Sequence, residues 1–276
     1  MPVEGVLRVL LALDGTRPND DALRAVWSLL DPEALEVTGL YVEDEDLLRA
    51  AALPCLREIS LSGRETSLDV ARLTRDMANE AAAARRAFDE LAQRLIREHR
   101  RLAHHFMVAR GPTADVFDRA AAESDFVLVT RALRGTGLRH RFGRSFARLV
   151  QQPRHVLFVN EPWSSGSSVV VLRGSDLALD YATRLAEADR LRLVLAVPVA
   201  APPPPAERLP GGAAIRQLTR WDAESVADLC LREDARLLVL PELPDLDWAE
   251  LLVSLMDRLP CSLLKLAAPR AAPPSD

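Results

Sequence analysis

The chain runs twice through one order of apolar strands and amphipathic helices, and that doubling limits what it can fold into. "VLRVLLALDGT" (Val6–Thr16) is a near-continuous apolar run closed by a turn signal, the pattern of a strand covered on both faces. A helix over 20–30 follows, with Ala22, Val26, Leu29 and Leu30 at helical spacing, and then a second strand, "LEVTGLYVED" (Leu35–Asp44). The stretch from Glu45 to about Asp76 reads as irregular. "MANEAAAARRAFDELAQRLIREHRRL" (Met77–Leu102) is the strongest helix pattern in the chain. "HFMVARG" (His105–Gly111), a helix, "DFVLVT" (Asp125–Thr130), a short helix and "RHVLFVN" (Arg154–Asn160) complete the first pass, and "EPWSSGSS" (Glu161–Ser168) reads as a linker.

The order then restarts. "SVVVLRGSDLALDYATRLA" (Ser168–Ala186) echoes "RVLLALDGTRPNDDALRAV", and "RLRLVLAVPV", "AAIRQLT", "ARLLVLPE" and "CSLLKLA" supply four further strands with helices between them. Strands alternating with helices predict parallel sheet covered on both sides. The fold class expected is α/β: two tandem five-stranded parallel-sheet units, Rossmann-like, with helices on both faces. Residues 1–163 and 164–276 are the predicted domains, stacked as two copies of a sandwich, and the Pro-rich end, Ala268–Asp276, is predicted to be disordered.

Composition narrows the function. The chain has 276 residues, 49 % of them hydrophobic, and a net charge of -5, which argues against nucleic acid as a partner. Its opening residues carry an acid where a secretory leader would be basic, and no apolar run is long enough to span a bilayer. A cytoplasmic protein without a membrane partner is expected. Cys55, Cys230 and Cys261 show neither metal-ligand nor redox spacing, so reduced thiols are expected. Lys265 is the only lysine, so no Walker-type phosphate loop can form.

The local exception to the acidic balance is "RALRGTGLRHRFGRSFARLV" (Arg131–Val150), with six arginines, three glycines and no acid. It follows the fourth strand and has the make-up of a phosphate-holding loop. A solvated face paired with acids elsewhere fits it equally well.

The first half resembles the universal stress protein family. The resemblance rests on "LLALDGT", the second strand ending in "YVED", "ARGPTADVFDRAAAESDFVLVTR", and the glycine-containing loop before "GRSFARLVQQPRHVLFV". It covers Val6–Asn160 well and Ser168–Leu266 weakly, so the whole resembles a tandem member. The family implies five-stranded parallel units that associate through their last strands. In a tandem chain that pair is internal, which predicts a pseudo-dimer with Val156–Val159 against Leu263–Leu266, with room for a further homodimer.

Some members of the family bind ATP or a related nucleotide such as AMP. In them an Asp closing the first strand and backbone at the end of the second hold the adenosine, and a loop G-x2-G-x9-G-[ST] wraps the phosphates. Asp14 and Val42 match the first two elements, with Gly111 at the end of the third strand. The loop departs from the pattern. Arg131 and Arg134 stand where glycines belong, Gly135 and Gly137 are out of register, and Gly143-Arg144-Ser145 replaces Gly-Ser. Glycine permits positive φ and close backbone approach to phosphate oxygens; a side chain there costs about 1–2 kcal/mol. An arginine can return about 1.5–3 kcal/mol per charge-assisted bond to a phosphate. The two effects balance, so the expected ligand is an adenine nucleotide or a phosphate anion held by side chains, or none. Asp14 also suits a helix cap.

In the second half Arg173 replaces the Asp, and "LPELPDLDWAELL" is acidic and glycine-free, so that copy is expected to be empty. No catalytic residue or metal ligand is predicted, because there is no G-x-S-x-G elbow, no HExxH and no Cys with an evident base. A non-catalytic stress-response or regulatory module is the leading reading. The alternatives are a slow ATPase using Arg131, Arg134 and Ser145, and a scaffold that docks a protein partner through residues 43–69, a segment long for a connection and equally able to form a lid. His104 and His105 read as structural residues without partners, and Trp163 as part of the linker.

Overall fold

The computed structural model describes residues 6–13, 23–26, 29, 34–53, 57–59, 65–67, 69–98, 101–130, 154–159, 163, 165–172, 175–200, 212–241, 251–252, 254–255, 258–259 and 261–267. The first pass comprises β1 (Val6–Leu13), β2 (Ala34–Asp44), α1 (Glu45–Ala51), β3 (Arg57–Ile59), β4 (Glu65–Ser67), α2 (Val70–Glu98), β5 (Leu102–Gly111), α3 (Thr113–Ala122), β6 (Phe126–Thr130) and β7 (His155–Val159). The second comprises β8 (Ser168–Leu172), α4 (Asp176–Ala188), β9 (Arg192–Pro198), β10 (Ala214–Leu218), α5 (Ala223–Arg232), β11 (Ala235–Leu240) and β12 (Ser262–Lys265).

Ten of these strands form one sheet in the order β10-β9-β8-β11-β12-β7-β6-β1-β2-β5. Each half is parallel and repeats the same order, so β1, β2, β5, β6 and β7 correspond to β8, β9, β10, β11 and β12. The halves are therefore joined edge to edge and not stacked, which corrects the sequence expectation of two stacked sandwiches. The expected pairing of the last strands is present: Phe158, Leu157 and Val156 lie antiparallel to Leu263, Leu264 and Lys265. The physical reason is visible in the strands. Val156–Val159 and Leu263–Leu264 are buried on both faces, so each needs a partner at its edge and a layer above and below, and a shared sheet supplies all three.

Two cores flank the sheet. Alternate residues of each strand face opposite sides, so Val9 and Leu11 belong to one core and Leu10 and Ala12 to the other. The first core is closed by Leu23, Val26 and Leu29, by Phe88 and Leu91 of α2, and by Ala182 and Leu185 of α4. The second is closed by Val116 and Phe117 of α3, by Val226 and Cys230 of α5, and by Leu252, Leu255 and Leu259. Both cores contain residues from both halves.

Two further expectations are corrected. The segment after β2 is not irregular: Asp44 caps α1 by accepting from the amides of Asp46 (3.0 Å) and Leu47 (3.3 Å), and β3 pairs antiparallel with β4. Trp163, in the linker between β7 and β8 as expected, is buried in the first core. His104 has a neighbour for its ring, with Nε2 3.8 Å from Asp89 Oδ1. The Pro-rich end lies outside the described residues.

Candidate functional site

In each half the chain reverses its direction of travel across the sheet between the first and fourth strands: between β1 and β6, and again between β8 and β11. Open parallel sheets seat ligands outside the carboxyl ends of their strands at such a switch point. β1 and β6 pair from Val9–Phe126 to Leu11–Leu128, which brings their carboxyl ends, Leu13 and Thr130, to the same rim.

Two of the sequence-predicted site residues are described, and both stand at this end of the sheet. Val42 is half-buried near the end of β2, opposite Ala109, and packs toward the second core. Gly111 closes β5 opposite Asp44. Its φ of +154° is one that residues with a β-carbon rarely adopt, and an added Cβ would stand 3.0 Å from Val116 Cγ2. Glycine is thus required here by the backbone. Residues 111–113 turn the chain from strand to helix as expected, with the Pro112 carbonyl accepting from the amides of Asp115 (3.0 Å) and Val116 (3.1 Å) and no side-chain cap. Asp14, Arg131, Arg134, Gly135, Gly137, Gly143, Arg144 and Ser145 lie outside the described residues, as does Arg173. In sequence Asp14 directly follows β1 and Arg131 directly follows β6.

The rim beyond β2 is acidic. Glu43, Asp44, Glu45 and Asp46 follow one another there; Arg49 pairs with Glu45 (3.0 Å) and Asp46 (3.5 Å), and the Asp44 carboxylate is occupied as the cap of α1. Coulomb repulsion disfavours an anion at this corner, whereas a neutral group meets no such cost. One polar pair near the site was missed by the sequence reading: Tyr41, buried on β2, donates its hydroxyl to Glu80 Oε2 of α2 at 2.9 Å. Its signal was an aromatic hydroxyl in the apolar part of a strand, which needs a partner when buried.

Two other side-chain groupings were equally unforeseen. At the β7–β12 seam, Nδ1 of His155 accepts the amide of Ala267 at 3.2 Å, and its ring stacks on Phe126 (centroids 5.5 Å apart) and meets the edge of Tyr181 (5.7 Å). Burial and the neighbouring Lys265 charge, opposed by Asp125, lower its pKa from 6.5 to about 4. Burial pushes the Tyr181 hydroxyl up. In the second core the thiols of Cys230 and Cys261 are hydrogen-bonded, and that bond together with burial raises the Cys230 pKa well above its ordinary value. Among the described residues no group of three or more His, Cys, Asp or Glu is placed to hold a metal ion, and no helix is long and apolar enough to cross a membrane.

The fold is that of the universal stress proteins. It is similar to a universal stress protein from Archaeoglobus fulgidus DSM 4304, with a TM-score of 0.58 and 13 % identity over 94 % of this chain and 96 % of that one. Looser similarities exist to the cytoplasmic domain of a prokaryotic cation chloride cotransporter (TM-score 0.46, 13 % identity, 94 % of each chain) and to a universal stress protein in complex with cAMP (TM-score 0.30, 20 % identity, 38 % of this chain and 100 % of that one). No protein-family model and no curated protein matches the chain. Likeness at 13 % identity speaks to the fold alone.

Proposed function

We propose that the chain is a tandem universal stress protein of the cytoplasm, with domains 1–163 and 164–276, acting as a non-catalytic regulatory module that takes an adenine nucleotide or a phosphate anion in its first half. The observation that carries this reading is the position of the switch point. The sequence leaves β1 through Asp14 and β6 through the arginine-rich loop 131–150, so the two candidate ligand-binding segments start from the same crevice. The acidic corner beyond β2 suits the neutral nucleoside, with Val42 beside it, and the phosphates would lie toward β6, where the acid-free arginines begin.

The second half has the same strand order, yet its two exits lead into Arg173 and the acidic, glycine-free stretch after β11. A triphosphate there would meet carboxylates, and this copy is the empty one. Calorimetry with ATP, ADP and AMP tests the site. Micromolar binding that Asp14→Ala abolishes supports the reading, and no heat at millimolar ligand overturns it.

A second reading has an observation of its own. α1 buries Leu48 and Ala51, and β3 with β4 forms a separate two-stranded sheet, so residues 43–69 carry folded structure. A segment built in this way, following the carboxyl end of β2, serves as a lid or as a docking surface for a protein partner. Deleting residues 51–67 separates the two. Faster nucleotide release marks a lid, and loss of a captured partner with unchanged nucleotide binding marks a docking surface.

A further inference from the structure

The strand pairing that joins the two halves is short. Three residues of β7 meet three of β12, whereas β1 and β2 pair over eight positions. Side-chain bonds at the end of this ladder add to the joint that the two shared cores make. At one end His155 belongs to the first half, and the amide donating to its Nδ1 belongs to Ala267 of the second. Beside it Lys265, 4 % exposed, donates through Nζ to the Arg154 carbonyl at 3.4 Å, also across the seam.

We propose that His155 is an acid-operated latch between the two halves, and that uptake of one proton at Nδ1 parts the β7–β12 seam. As an acceptor, Nδ1 must be unprotonated, so the ring is neutral with its hydrogen on Nε2. A proton added at Nδ1 fills the lone pair that Ala267 uses and sets one N–H against another. It also creates a second buried cation beside Lys265.

Among the described residues, both halves supply groups that face the ring. The first half supplies the Phe126 ring and the Asp125 carboxylate just before β6. The second supplies Tyr181 of α4, with Arg184 near its hydroxyl, and Lys265 and Ala267 at the end of β12. Arg154, the preceding residue, is held by the carbonyls of Ser124 (2.7 Å) and Ala122 (2.5 Å). Asp125 favours the imidazolium, and burial and Lys265 outweigh it. The joined seam thus holds neutral histidine and the parted seam accepts the proton.

Linkage gives the size of the effect. Between an open-state value of 6.5 and a closed-state value of about 4, acidification favours the parted seam by up to about 300-fold. Hydrogen exchange read by mass spectrometry on the full chain tests this, comparing wild type with His155→Gln at each pH so that intrinsic exchange cancels. Glutamine keeps a neutral acceptor and cannot take the proton. Protection of residues 156–158 and 263–267 should fall in wild type relative to the variant as pH drops from 7 to 4. A parallel loss in both proteins overturns the latch. Should the glutamine variant not fold, NMR titration of the His155 ring in the wild type decides. A midpoint below 5 with concerted shifts at Tyr181 and Ala267 supports the latch, and a midpoint near 6.5 overturns it.

Discussion

Gly166 backs directly onto Arg236. A β-carbon built on the glycine would stand 2.6 Å from the Arg236 amide nitrogen and 2.8 Å from its Cα, and the Gly166 carbonyl accepts from Nε and Nη2 of the same arginine at 3.3 and 3.2 Å. This contact fixes the entry to β8 against the start of β11.

Gly166→Ala is expected to be strongly destabilising. The residue has φ +99°, where a side chain costs about 1–2 kcal/mol, and the obstructing atoms are backbone, which cannot rotate away. We expect a total loss above about 2 kcal/mol, measured as a lower urea midpoint with an unchanged denaturant slope. A variant as stable as wild type would mean that the turn relaxes freely.

Glu233 gathers two arginines at the same end of the second half. Its carboxylate lies 2.6 Å from Arg216 Nε and 3.4 Å from Arg192 Nη2, and only 7 % of the residue is exposed. Its carbonyl takes the Ser168 hydroxyl at 2.7 Å, an interaction that substitution leaves intact. Glu233→Ala should cost about 1–3 kcal/mol. The half-exposed arginines can rehydrate, which places the value toward the low end. Glu233→Gln should cost less, and the gap between the two should shrink in high salt, as denaturation with and without added chloride would show.

The strands were legible because burial on both faces writes itself as an apolar run: β1, β6, β7, β8 and β11 stand within a few residues of their predicted bounds. The helix α2 begins at Val70, seven residues before the predicted start. Its first turns face solvent, with Arg72 and Asp76 paired at 3.6 Å, and Met77 is the first buried residue, so periodicity had nothing to report earlier. α1 was missed although its cap Asp44, its acids in the first turn and Arg49 in the last were all present; seven residues with one buried stripe give too weak a period. At the rim of the sheet, Val42 and Gly111 stand near the ends of β2 and β5, positions that the family resemblance pointed to. The partnerships of His155 with Ala267 and of Cys230 with Cys261 were not legible, because residues 112 positions apart or in different elements meet only after the sheet has closed.

Gly39 and Phe88 set the distance between β2 and α2. A methyl on Gly39 would meet three ring atoms of Phe88 at 3.0, 3.0 and 3.1 Å, and the ring is fully buried. Gly39→Ala should therefore cost about 1–3 kcal/mol through overpacking. Because the obstacle is a side chain, a smaller partner should relieve it. In a double-mutant cycle with Phe88→Leu we expect the alanine to cost clearly less than in the wild-type background. Strict additivity would show that the strain lies elsewhere.

Cys230 and Cys261 should be chemically silent in the folded protein. Both are buried and out of a reagent's reach, and at Cys230 the hydrogen bond to Cys261 and burial raise the pKa, so that residue offers almost no thiolate at pH 8 to attack an alkylating reagent. With iodoacetamide at pH 8, peptide mass mapping should show both residues unmodified in the native state and fully labelled in denaturant. Raising the pH by one unit should accelerate an exposed thiol nearly in proportion while leaving these two slow, because burial limits access to both. Rapid native labelling of Cys230 would mean that α5 opens without global unfolding. In Gly166→Ala, where global unfolding is cheaper, labelling of both cysteines should rise together, by the factor by which that variant raises the unfolded population.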